Sequence, residues 1–100
     1  PVARDYAYHI YNQYTIRHER RDDLKAFLKE RGVSTKVYYP RALHVQECFA
    51  SLGYSTGDLP ESERAAREVL ALPIYPEVTE QEQARVVDVL GRSLEAERQR

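Results

Sequence analysis

The chain has no tryptophan, no methionine, one cysteine and four glycines among its 100 residues. Each scarcity removes a class of chemistry. A lone cysteine, Cys48, excludes an internal disulfide framework and suits a reducing compartment. The glycines stand apart, at 32, 53, 57 and 91, so there is no glycine-rich phosphate loop. Charge is balanced: a net value of −1 gives no broad attraction to nucleic acid or to an anionic membrane. No apolar run approaches the roughly 20 residues of a membrane span, and no signal-peptide pattern occurs. His9, His18 and His44 lack metal-ligand spacing to one another, to Cys48 or to a carboxylate, which argues against a zinc site. Neither Ser34 nor Ser51 sits in a context that makes it a nucleophile. The expectation is a cytoplasmic protein with no nucleic-acid or membrane partner.

Tyrosine, by contrast, is abundant, with eight copies in a chain that is 42% hydrophobic and 31% charged. This length suits one domain, residues 1–100, burying roughly 60–70% of its unfolded surface. The chain opens at Pro1 and runs directly into a strand-like stretch, which suggests a piece of a longer polypeptide.

Alternation over residues 6–17 predicts a first strand, with Tyr6, Tyr8, Ile10, Tyr14 and Ile16 on one face and Asn12 interrupting it. A charged turn follows over 18–21. Asp22 and Asp23 then open a helix whose apolar stripe is Leu24, Phe27 and Leu28, closed by Gly32. Residues 33–39 read as a second strand that Pro40 stops. Spacing of Val45, Phe49 and Leu52 predicts a short helix over 44–52, followed by a loop over 54–59. Pro60 opens another helix, and Leu70, Leu72 and Ile74 suggest a short third strand bounded by Pro73 and Pro76. Thr79 and Glu82 form a capping box for a last helix carrying Val86, Val87, Leu90 and Leu94, with a fraying tail over 95–100. The fold class expected is α/β, an α+β two-layer sandwich: a small, mainly antiparallel three-stranded sheet with helices on one face.

Residues 33–44, VSTKVYYPRALH, are the stretch best suited to present a site, because functional groups often stand at the ends of rigid strands. Lys36 and Tyr38 project from its polar face and His44 follows. With the Asn12 amide they could form a concave hydrogen-bonding surface for a polar or anionic ligand. Plainer readings stand beside this one. Lys36 can be a solvated strand lysine, and His44 can cap its helix or pack on Tyr54. Asn12 can make a structural hydrogen bond or turn outward at a bulge, since leaving it buried and unpaired costs about 1–3 kcal/mol.

Four segments in order carry a family resemblance: HIYNQYTIR (9–17), RDDLKAFLKERGVST (21–35), VYYPRALHVQECFASLGY (37–54) and LPESERAAREVLALPIYPEVTEQE (59–82). They resemble the C-terminal small domain of the DegT/DnrJ/EryC1/StrS family of pyridoxal-phosphate-dependent nucleotide-sugar aminotransferases. The resemblance implies the small domain of a fold type I aminotransferase, with its own N-terminal large domain and a homodimer as partners. It implies amino transfer from glutamate or glutamine to a keto group of a nucleotide-linked sugar, with pyridoxal 5'-phosphate as electron sink. The family's Schiff-base lysine and cofactor contacts have no counterpart here, so the piece is expected to hold no catalytic or cofactor-binding residue and to be inert alone. Tyr38 and Tyr39 match the family's His-Tyr pair facing the sugar. Asn12, Lys36 and His44 complete the expected substrate-binding set. Tyr38 replaces a frequent histidine, so it is read as a positioning group and not a base. The alternative function is a standalone, non-catalytic α/β interaction or regulatory domain.

Overall fold

A computed structural model describes residues 2–99. Pro1 and Arg100 lie outside the described residues, and with them the expectations resting on the chain's first residue and on the tail's last. Two strands and three α-helices follow in the order β1 (Tyr14–Arg17), α1 (Arg21–Glu30), α2 (Pro60–Glu68), β2 (Val69–Leu72) and α3 (Glu80–Arg98). β1 and β2 pair antiparallel, with Tyr14 opposite Leu72 and Ile16 opposite Leu70.

The core gathers one face of β1, α1, β2 and α3. Leu24 and Leu28 of α1, Val33, Leu70 of β2 and Val89 of α3 are buried together. Ile16, Phe27, Val37, Leu72, Val86 and Leu90 pack around them. Leu24 and Leu28 are one turn apart, and Ile16, Leu70 and Leu72 share a sheet face, so helical and strand periodicities converge on one layer.

The sheet has two strands where three were expected. Of residues 33–39, only Lys36 joins it, through an isolated antiparallel bridge to Ala71 on the side of β2 away from β1. Groups on β2 stop the ladder at both ends. Pro73 has no N–H to offer Ser34. At the other end the Val69 amide bonds to Ala65 and its carbonyl accepts from Arg21 at 3.0 Å, so both are occupied before Tyr38 reaches them. The alternation itself survives: Val33 is buried, Thr35 and Val37 are half-buried, and Ser34, Lys36 and Tyr38 face out.

The first strand is also shorter than expected, 14–17 instead of 6–17. β2 ends at Leu72, opposite Tyr14, so the preceding residues have nothing to pair with among the described residues. Tyr11 takes a positive φ of 51°, and its amide donates to His9 Nδ1 at 2.9 Å. Tyr6, Tyr8 and Ile10 are left 89%, 95% and 75% exposed. The third strand runs over Val69–Leu72 and excludes Ile74, because Pro73 ends it. The short helix at 44–52 is two 3-10 turns, Leu43–Val45 and Glu47–Leu52.

Helix ends follow the sequence closely. α1 closes in a Schellman motif: Val33 N–H donates to Leu28 at 2.9 Å, Gly32 N–H donates to Lys29 at 3.1 Å, and Gly32 has φ +80°. Thr79 caps α3 by accepting the Glu82 amide at 3.1 Å. The reciprocal half of the capping box is replaced, since the Glu82 carboxylate accepts the Tyr75 hydroxyl. The tail stays helical to Arg98. Glu97 holds it against the end of β1, 3.2 Å from His18 Nε2, while His18 Nδ1 accepts the Arg20 amide.

Candidate functional site

Tyr38 and Tyr39 lie together at the mouth of an open groove of about 280 Å³. Their rings meet edge to face at 5.7 Å, and they are 44% and 69% exposed. One wall is the turn after the Lys36 bridge, with Arg41, Ala42, Leu43 and Gln46. The other is α2, whose Ser62, Ala65 and Ala66 present small side chains, with Val69 beyond them. The groove thus offers two phenols, a guanidinium, a carboxamide and a hydroxyl above an apolar lining.

α2 is anchored by a residue that reads from sequence only as part of a charged turn. Arg21 is buried, and its guanidinium donates to Ala66 at 2.9 Å and to Val69 at 3.0 Å, while Nε reaches Asp22 at 2.7 Å. These carbonyls lie at the end of α2, where a cation is favoured by the helix dipole.

His44 does not reach the groove surface. Its side chain is 5% exposed, edge-on to Tyr54 at 6.3 Å, with Nε2 3.4 Å from Glu63 Oε2. It therefore packs on Tyr54, one of the two plain alternatives. Glu63 lies on α2 and accepts the Gly57 amide with both oxygens at 2.9 Å. That amide, chiefly, and then the imidazole hold the Glu63 carboxyl below the usual carboxylate range, against the opposing effect of burial.

The remaining expected residues stand apart. Lys36 gives its backbone to the Ala71 bridge and is exposed. Asn12 is exposed before β1 and is not among the residues lining the groove. Sequence reasoning missed Glu63, Arg41 and Gln46. Glu63 stands three residues after Pro60, where an acid reads simply as favourable to a helix start.

A second groove, about 380 Å³, is lined by Lys25, Lys29 and Ser34 among others. It does not suit a phosphate-bearing pyridine cofactor. Lys29 lies in the last turn of α1, at the negative end of that helix, and no carboxylate lines the groove to face a ring nitrogen. No cluster of three potential metal ligands occurs among the described residues.

Solved structures place the fold among the aminotransferases. An X-ray structure of Streptomyces venezuelae DesV, in complex with a ketimine intermediate, matches with a TM-score of 0.75 and 38% identity over 78% of this chain and 21% of that one. NtdA from Bacillus subtilis, solved with bound cofactor PMP, matches with a TM-score of 0.72 and 34% identity over 84% of this chain and 20% of that one. More particularly, the chain belongs to the DegT/DnrJ/EryC1/StrS aminotransferase family, whose model matches residues 1–91. A pleiotropic regulatory protein from Geobacillus stearothermophilus is 56% identical over 91% of this chain and 24% of its own length. A dTDP-3-amino-3,4,6-trideoxy-alpha-D-glucose transaminase from Micromonospora megalomicea is 36% identical over 90% of this chain and 24% of its own. The chain thus spans about a quarter of the length of these relatives.

Proposed function

We propose that this chain is the small, substrate-covering domain of a longer pyridoxal-phosphate-dependent aminotransferase. In this reading the enzyme moves an amino group from glutamate or glutamine to a keto group of a nucleotide-linked sugar. The observation that carries the reading is the family match across residues 1–91, with relatives named as transaminases of dTDP- and UDP-linked sugars. The groove gives it a structural counterpart: Tyr38 and Tyr39 offer phenols to sugar hydroxyls, and Arg41 offers a cation to a phosphate. The cofactor supplies the electron sink when bound, and the residues that hold it belong to the other domain. This chain's own residues bind and orient the sugar. Asn12 and Lys36 would meet substrate only from the cleft between domains.

Tyr38→Phe in the full-length enzyme tests the reading. Amination of the keto sugar should slow by about tenfold, corresponding to one lost hydrogen bond of about 1.4 kcal/mol. The half-reaction with the amino donor, followed by cofactor absorbance, should be unchanged. Equal losses in both half-reactions refute the assignment of Tyr38.

A second reading is a regulator without transferase activity, favoured by the 56% identity to a protein named for pleiotropic regulation. A Schiff-base lysine in the longer polypeptide, with turnover of a keto sugar, decides for the enzyme. Its absence decides for the regulator.

A further inference from the structure

The groove's two walls come from segments about 20 residues apart in sequence, and each contributes one member of a buried polar contact. His44 belongs to the turn wall, next to Leu43. Glu63 belongs to α2, next to Ser62 and one turn before Ala66. Both are largely shielded, with side-chain exposures of 5% and 11%. His44 Nε2 has no hydrogen-bond partner among the described residues, and the Glu63 oxygen at 3.4 Å is the charge that compensates it. Glu63 is itself fixed by the Gly57 amide. A buried polar atom left without compensation is costly, so the imidazole is held at this separation from α2.

We propose that His44 and Glu63 are a positioning pair that braces the two walls of the groove and sets the width of the seat for the sugar. This rests on the functional reading above. Neither residue touches substrate. Both act through Tyr38, Tyr39 and the α2 face. Packing alone would lower stability on mutation without separating one half-reaction from the other. A brace on the sugar seat affects the sugar half-reaction selectively.

The test uses the full-length enzyme with its cofactor, and UDP- and dTDP-linked 3-keto hexoses as probes. Glu63→Gln and His44→Gln should each raise KM for the keto sugar by about tenfold while leaving the donor half-reaction within about twofold. The double variant should be no worse than the worse single one, because both remove one brace. Hydrogen exchange should quicken together at the Val45, Gln46 and Gly57 amides. Glu63→Gln, isosteric and still able to accept the Gly57 amide, carries the test if His44→Gln does not fold. Unchanged KM in folded variants, equal losses in both half-reactions, or additive effects in the double variant overturn the brace. If the wild-type enzyme aminates neither sugar, the functional reading falls and exchange alone decides. Joint quickening then supports the brace, and quickening at Gly57 alone overturns it.

Discussion

Arg21 shows how a single side chain can organise an element 45 residues away. Its guanidinium satisfies two carbonyls where α2 passes into β2, and in doing so occupies the Val69 carbonyl that a third strand would need. Arg21→Met keeps the aliphatic bulk but strands both carbonyls, and should cost about 2–3 kcal/mol. A lower urea midpoint at constant slope is the measurement. None of this was legible in sequence, where an arginine in a run of charges reads as solvated; only folding brings Ala66 and Val69 to it. Glu63 was equally hidden, because its partners Gly57 and His44 are set by loop closure and not by spacing. Its lowered pKa gives a pH signature. A carboxyl depressed in the folded state contributes stability that is fully present above its unfolded value, about 4.3, and is lost as pH falls through the folded value. Glu63→Gln should therefore flatten the acid limb of the stability curve below about pH 4.3, measured by thermal unfolding across pH.

At the scale of elements, two glycines in helical contexts should respond in opposite directions. Gly32 is the left-handed residue of the Schellman motif, and a Cβ there would meet nothing within 4 Å, so only its φ of +80° resists substitution. Gly32→Ala should destabilise by about 1 kcal/mol. Gly91 lies inside α3 at a negative φ in open space, and Gly91→Ala should stabilise by about 0.5–1 kcal/mol. Chemical denaturation of both variants checks the pair, and a loss in both would mean that α3 needs its glycine for packing against something else. Helices were the legible part of this fold because period, cap and terminator are local: Leu24 with Leu28, Gly32, Thr79. The strands were legible only as faces. Thr35 and Val37 do turn inward, yet their segment is not a strand. Pairing depends on what Pro73 and Val69 leave unbonded, and alternation does not report that. The groove was half legible: the paired tyrosines stood out, while the α2 wall of Ser62, Ala65 and Ala66 looked like an ordinary helix face.

For the whole molecule, two dimensions point to a surface made to be covered. The Cα radius of gyration is 16.1 Å, where a compact chain of this length has about 13 Å. The accessible surface is 8003 Å², against about 5,900 Å² for a folded monomer of this mass. The excess, about 2,000 Å² on one chain, is more than twice the roughly 800 Å² that each partner buries in a standard protein interface. Much of the bare apolar surface lies on residues 2–13, where Val2, Tyr6, Tyr8 and Ile10 are each at least 75% exposed, and α3 adds Val87 at 68%. The period of two across Tyr6, Tyr8 and Ile10 is that of a strand with one face to bury, and no neighbour for it occurs among the described residues. Since the relatives are about four times as long, the covering surface is expected from the rest of such a polypeptide or from a second copy of it. Ile10→Ala separates the contexts. In the 100-residue chain alone it should change stability by less than about 0.5 kcal/mol, as at any exposed site. In the full-length protein it should cost about 2–4 kcal/mol, the penalty of emptying a packed site. Equal effects in the two contexts, read from urea midpoints, would mean that this arm stays bare and that the excess surface is covered elsewhere.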